Sequence, residues 1–105
     1  MAQQIHTKVA GETLVLGVNY APRLLDGDLL TGTPAAVASP SGPTLSNQQL
    51  NSSTVTILRE SVSANRAVLV TVAGGTAGTT YVITVTAQTV SGQTLIERCI
   101  VEVKA

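Results

Sequence analysis

The chain has 105 residues and carries six Lys and Arg against six Asp and Glu, so its formal net charge is zero. A protein that binds nucleic acid through its phosphates needs a surplus of basic side chains, so composition excludes this as the main function. Apolar residues make up 44% of the chain and charged residues only 11%, which excludes intrinsic disorder and indicates one packed domain.

The first predicted element is a flexible N-terminal arm over residues 1–12. It contains no apolar run of the kind found in a signal peptide. Residues 13–20 alternate between apolar and polar positions, with Leu14 and Tyr20 at the two ends of the apolar series. This pattern predicts the first strand of a domain that spans residues 13–105.

The middle of the chain is rich in turn-forming residues. Residues 21–28 contain a proline and an Asp-Gly-Asp turn, and we predict a connection there. Residues 29–38 are predicted to form an edge strand, because Pro34 cannot donate a hydrogen bond to a neighbouring strand. Residues 39–53 are mostly Ser, Pro, Gly, Asn and Gln, and we predict a loop with at most a short strand near Leu45.

The second half of the chain has the clearest strand patterns. Apolar residues alternate with Thr and other polar residues, as in strands that are buried on one face. A polar connection over residues 60–66 and two glycine-containing turns separate these stretches. The predicted strands span residues 54–57, 67–73, 79–89 and 94–104.

These elements add up to about seven short strands with no helical pattern between them, which predicts an all-β, immunoglobulin-like antiparallel β-sandwich. A small barrel is the alternative. Tyr81 follows a glycine-rich corner and predicts a tyrosine corner, in which the hydroxyl holds the preceding loop; the alternative is an ordinary half-buried tyrosine. The single cysteine, Cys99, excludes an intrachain disulfide, so hydrophobic burial has to hold the sheets together.

Few residues could carry chemistry. His6, the only histidine, lies in the predicted arm, and Cys99 is on the apolar face of the last strand, where cysteine usually acts as a small apolar residue. One His and one Cys cannot form a zinc site within one chain, and Asp26 and Asp28 lack the other ligands of a calcium loop. We therefore predict no catalytic, cofactor-binding or metal-binding residues and no enzyme activity.

One predicted strand face is polar but almost uncharged. It is formed by alternate residues of the last two strands: Val82, Thr84, Thr86, Gln88, Ile96, Arg98 and Ile100. Exposed strands of this kind invite pairing or packing with other chains. This face therefore indicates a protein that is used in an oligomer or a larger assembly.

Motifs along most of the chain resemble a known group of proteins. They are VNY at 18–20, LDGDLLTGTP at 25–34, GGTAGTTYVI at 74–83, TVSG at 89–92 and CIVEV at 99–103. Over roughly residues 13–103, these motifs resemble the small immunoglobulin-like proteins of tailed bacteriophages, in particular the fiber-tail adaptor proteins.

The resemblance implies a non-enzymatic structural protein of the virion, made in the host cytoplasm, that adapts tail and fiber components by protein–protein contacts. Its partners would be other virion proteins and further copies of itself in a symmetric assembly, with no nucleic acid or membrane partner. Residues 1–10 and 39–53 are the candidate contact elements, and the arm could add a strand to a neighbour's sheet. A capsid decoration protein and an adhesion or carbohydrate-binding module stay open as alternatives, although sugar binding is disfavoured by the scarcity of aromatic residues.

Overall fold

Nine β-strands make up most of the computed structural model, which describes residues 4–57 and 59–105. In this part of the chain the only helical element is a single 3-10 turn, Ala21–Arg23. The strands are β1 Gln4–Val9, β2 Thr13–Asn19, β3 Leu30–Ser39, β4 Pro43–Leu50, β5 Val55–Ile57, β6 Glu60–Val62, β7 Ala67–Gly74, β8 Thr80–Thr89 and β9 Thr94–Lys104.

The strands form two main sheets and a small hairpin. The four-stranded sheet has the order β1-β9-β8-β3, the three-stranded sheet has the order β2-β7-β4, and β5 pairs with β6. The β1–β9 pair is parallel, and the remaining pairs are antiparallel. The buried side chains of both main sheets form one cluster between them. This confirms the predicted all-β sandwich, whereas the immunoglobulin-like assignment remains a prediction.

The core is aliphatic, as expected for a chain with neither Trp nor Phe. Val68, Val70 and Val72 on β7 are all fully buried and face Ile83 and Val85 on β8 across the core. Burial of side chains of this size contributes about 1.5–3 kcal/mol each. The burial of these aliphatic side chains therefore supplies the stabilisation that a disulfide supplies in other small domains.

Two buried tyrosines form structural hydrogen bonds, one between the sheets and one to the corner before β8. Tyr20, which directly follows β2, donates a hydrogen bond of 2.7 Å from its hydroxyl to the carbonyl of Val85 in the opposite sheet. Tyr81 is only 2% exposed, and its hydroxyl accepts a hydrogen bond of 2.8 Å from the amide of Thr76 in the preceding corner. The hydroxyl of Tyr81 thus holds the preceding loop as predicted, and its burial excludes the alternative of a half-buried strand tyrosine.

The strand near Leu45 is confirmed as β4, but the prediction that residues 39–53 are mainly loop is wrong, because β4 spans Pro43–Leu50. This strand pairs with β7 on one side only, and its register shifts between Ser46 and Gln49. An edge strand needs few apolar side chains, so polar residues are tolerated there and hide the strand pattern. By contrast, the prediction of an edge strand containing Pro34 is confirmed by β3.

Two other strands were not predicted. Residues 60–62, expected to be connection, form β6, which has only three residues and therefore no readable alternation. Residues 4–9 of the expected arm form β1 at the edge of the four-stranded sheet, while residues 1–3 lie outside the described part. The structure thus differs from the expected flexible arm over residues 4–9, and it has nine strands instead of about seven.

Candidate interaction surfaces

The two residues with the most reactive side chains lie on neighbouring strands. Cys99 on β9 is 1% exposed, and burial, followed by the nearby charge of Glu97, raises the pKa of its thiol to about 11. His6 on β1 is half-buried, and burial lowers its pKa. The thiol is therefore protonated at neutral pH and shielded from solvent, which is unfavourable for a nucleophile.

The turn containing Asp26 and Asp28 is held by hydrogen bonds to the protein itself. The carboxylate of Asp28 accepts hydrogen bonds from the Ser91 hydroxyl at 2.6 Å and from the amides of Leu29 at 2.9 Å and Ser91 at 3.2 Å. These contacts join the turn to the β8–β9 hairpin. Throughout residues 4–57 and 59–105, no group of three or more His, Cys, Asp or Glu side chains is placed to hold a metal ion.

Replacing Asp28 by Asn is expected to lower thermal stability at about pH 7 and to have little effect at about pH 2. The Ser91 hydroxyl, with help from the two amides, holds the pKa of Asp28 below its ordinary value of 3.8. A lowered carboxyl pKa stabilises the folded state above the unfolded-state pKa, and this stabilisation is lost as the pH falls through the folded-state value. The melting temperatures of the unsubstituted chain and of Asp28→Asn at both pH values measure this stabilisation.

The matched control is Asp26→Asn, because Asp26 is exposed in the same turn. It should change the melting temperature little at either pH. Equal losses for Asp28→Asn at both pH values would show that the substitution disturbs packing and that the charge of Asp28 is not what stabilises the turn.

The outer face of the four-stranded sheet is a surface open to a partner. Inter-strand register places Ile5, Ile100 and Val82 in one row across β1, β9 and β8. The next rows pair Arg98 with Thr84 and Val37, and Ile96 with Thr86 and Ala35. We call the surface made by these nine residues the outer face.

Several apolar side chains of the outer face are exposed to solvent. Val37 is 65% exposed, Ile5 63% and Ile96 42%. Arg98 is the single charged residue among these nine. The adjoining rows on the same side of the sheet add Glu102 and Lys104, which pair with each other at 3.4 Å. A low-charge surface that combines β-branched and threonine side chains is suited to packing against another protein.

The β5–β6 hairpin covers part of the three-stranded sheet on the face that points away from the core. A Cβ atom added at Gly17 of β2 would lie 2.8 Å from the side chain of Ile57, so glycine is what lets the hairpin approach closely. An open cleft of about 300 Å³ remains beside the hairpin, lined by His6, Val15, Leu69 and neighbouring residues. Of the predicted contact elements, the N-terminal one thus contributes His6 to this cleft, and residues 43–50 of the other belong to a sheet.

Asn51 was not predicted to matter, although it fixes the position of this hairpin. It is 1% exposed, and its amide nitrogen donates hydrogen bonds to the carbonyls of Ser53, Val62 and Ser63 at 2.8–3.2 Å. Its side-chain oxygen accepts from the amides of Arg66 and Ala67 at 3.1 and 2.9 Å. A lone Asn in a polar stretch gives no signal of this role, because its partners are backbone groups.

Comparison with known proteins gives one informative result. A protein-family model described as podophage GP4 fiber-tail adaptor protein gp77 matches residues 8–102, which include the strands from β2 to β8 in full. No curated protein matches the chain. Among the described residues, no helix has the length and hydropathy required to cross a membrane.

Proposed function

Since the chain belongs to the podophage fiber-tail adaptor family, we propose that it joins tail and fiber components by protein–protein contacts and catalyses no reaction. The family gives the chain a structural role in the phage tail and makes it a component of the virion. The outer face supports the finer proposal, because it offers exposed apolar side chains around a single charge.

The outer face is proposed as the docking surface because it lies on rigid elements. Eight of its nine side chains project from the hydrogen-bonded strands β3, β8 and β9, so little conformational entropy is lost when a partner covers them. Copies of the chain are proposed to form a homo-oligomer, since symmetric repetition turns weak single contacts into a stable assembly. Synthesis in the host cytoplasm belongs to the same proposal.

The topology is proposed to be immunoglobulin-like. In that fold, strands B, E and D share one sheet and strands C, F and G share the other. Here β2, β7 and β4 form one sheet and β3, β8 and β9 belong to the other, which supports the assignment. The β5–β6 hairpin is then an insertion between the fourth and fifth strands of the fold.

Replacing Val37 by Lys is expected to lower incorporation into particles at least about tenfold, since an unpaired charge at an interface costs more than the ~1.4 kcal/mol that tenfold represents. Val37 is 65% exposed, so the isolated chain should keep its melting temperature. Incorporation is measured in purified particles as the ratio of the substituted chain to an unsubstituted chain that was assembled with it.

Val90→Lys is the matched control, because Val90 is 68% exposed but lies in the β8–β9 turn at one end of the sandwich. Undiminished incorporation of Val37→Lys would contradict docking through the outer face. Loss with Val90→Lys alone would place docking at the turns. The number of copies per particle tests the tail role itself, because a capsid decoration protein would be present in far greater number than a tail component.

A further inference from the structure

Strand β1 is attached to the sandwich differently from the other strands of its sheet. It lies at the edge, pairs with β9 alone, and forms the parallel pair of the fold. The pairing extends over six residue pairs, from Gln4 opposite Cys99 to Val9 opposite Lys104. Its attachment therefore depends mainly on backbone hydrogen bonds along one side.

The apolar residues of β1 add little hydrophobic burial. Ile5 and Val9 are 63% and 46% exposed, and Thr7 is exposed as well. Neither cluster of buried apolar side chains includes a residue of β1. Removing β1 would therefore leave the main core in place, because that core is formed by the other strands.

The one fully buried residue described on β1 is a lysine. Lys8 is 0% exposed, and its Nζ lies 3.4 Å from the carbonyl oxygen of Val9, which is a long hydrogen bond. In the part of the chain that the structure describes, the ion pairs involve Arg23 and Lys104, so Lys8 has no carboxylate partner there. Burial of an amine with so little compensation weakens the docking of β1.

The connection from β1 to β2 can open without breaking packed contacts. Gly11 has a φ of +93°, and a side chain added there would meet nothing within 4 Å. The turn is held by hydrogen bonds from Ala10 to Lys104 and between Val9 and Glu12. All of these contacts lie at the surface end of one strand pair.

From these observations we propose that β1 is exchanged between copies, so that β1 of one copy pairs with β9 of a second copy in the same parallel register. A second copy is the occupant because its β1 already carries the side chains that fit this register, including Lys8. The contacts of the exchanged and unexchanged forms are the same, so a high local concentration of copies can favour exchange. This inference rests on the homo-oligomer of the proposed function.

The test mixes two versions of the full chain, both with Cys99→Ala to remove the native thiol. One version carries Ile5→Cys and the other carries Ile100→Cys, residues that face each other in the β1–β9 register. The two versions, distinguished by tags, are warmed together below the melting temperature and then oxidised. Exchange is expected to give a disulfide between the two versions, with a yield that rises with protein concentration.

The control mixture replaces Ile5→Cys by Val82→Cys, because Val82 faces Ile100 from β8, which is not proposed to exchange. Exchange predicts several-fold more mixed disulfide with Ile5→Cys than with Val82→Cys. Equal yields would reflect chance collisions and would overturn the proposal, as would the absence of mixed disulfide in both mixtures. The disulfide experiment uses isolated chains without particles. Its failure can therefore be distinguished from a failure of Val37→Lys to lower incorporation into particles.

A second variant tests the reason for the exchange. Lys8→Met replaces the four-carbon stem of lysine by an unbranched apolar side chain with the same number of heavy atoms as that stem and removes the buried amine. Because Lys8 has the same surroundings in both forms, the final yield of mixed disulfide should stay the same while its rate of formation falls several-fold. An unchanged rate would show that release of β1 does not depend on Lys8 and would contradict its assigned role.

Discussion

Replacing Asn51 by Ala is expected to lower the free energy of unfolding by about 3–5 kcal/mol, because several buried backbone groups lose their partners together. The side chain makes five hydrogen bonds to backbone atoms, and the residue is 1% exposed. Water cannot replace these bonds without opening the packing between the β5–β6 hairpin and β7. Urea unfolding followed by circular dichroism measures the loss.

Gln49→Ala is the matched control for this substitution. Gln49 lies near the end of β4, two residues before Asn51, and carries the same functional group, but it is exposed. Its replacement should change the stability by less than about 0.5 kcal/mol, as is usual for surface positions. Similar losses for both variants would mean that the buried hydrogen bonds of Asn51 do not account for its effect and that Asn51 does not anchor the hairpin.

Gly75→Ala is expected to destabilise the protein by about 2–5 kcal/mol, since strain in the backbone and overpacking add together. The φ of Gly75 is +97°, a conformation that favours glycine. A Cβ atom there would lie 3.1 Å from a methyl group of Val103 and 3.2 Å from the ring of Tyr81. Both neighbours are buried and cannot move away without disturbing the corner held by the Tyr81 hydroxyl.

Gly78→Ala separates the two causes. Gly78 lies in the same corner with a φ of +86°, but an added Cβ would have nothing within 4 Å. It should therefore show only the backbone cost, about 1–2 kcal/mol. If the two alanine variants are equally stable, the close packing of Gly75 against Tyr81 and Val103 makes no contribution.

The strands that could be predicted from the sequence are those with one buried and one exposed face. β2, β8 and β9 have such faces, so their apolar residues recur at every second position, and β7 is nearly as clear. Tyr81 was also predictable, because a tyrosine after a glycine-rich corner has a recognised structural role. In these cases, the residues that make the prediction possible are neighbours in the sequence.

The strands β1 and β4 depend on partners distant in the sequence. β4 is polar because it lies at an edge, and it is a strand because β7 offers it hydrogen bonds. β1 buries only Lys8 among its described side chains, so no apolar periodicity marks it. Backbone pairing of this kind leaves no trace in side-chain composition.

The outer face was predictable only in part. Residues of β8 and β9 were assigned to one surface by their alternation, and the structure places them there. The contributions of Val37 and Ile5 follow from the register of β3 and β1, which alternation within a single strand does not determine. Asn51 was missed for the same reason, since most of its partners, from Val62 at the end of β6 to Ala67 at the start of β7, lie 11 to 16 residues away.

The two buried tyrosines also give the molecule a pair of optical reporters. With no Trp and no Phe in the chain, near-ultraviolet signals come from Tyr20 and Tyr81 alone. Burial raises the pKa of Tyr20, whereas the hydrogen bond from Thr76 lowers the pKa of Tyr81. In alkaline solution the corner phenol therefore ionises first, and its phenolate absorbance reports on that corner while the other ring still reports on the seam between the sheets.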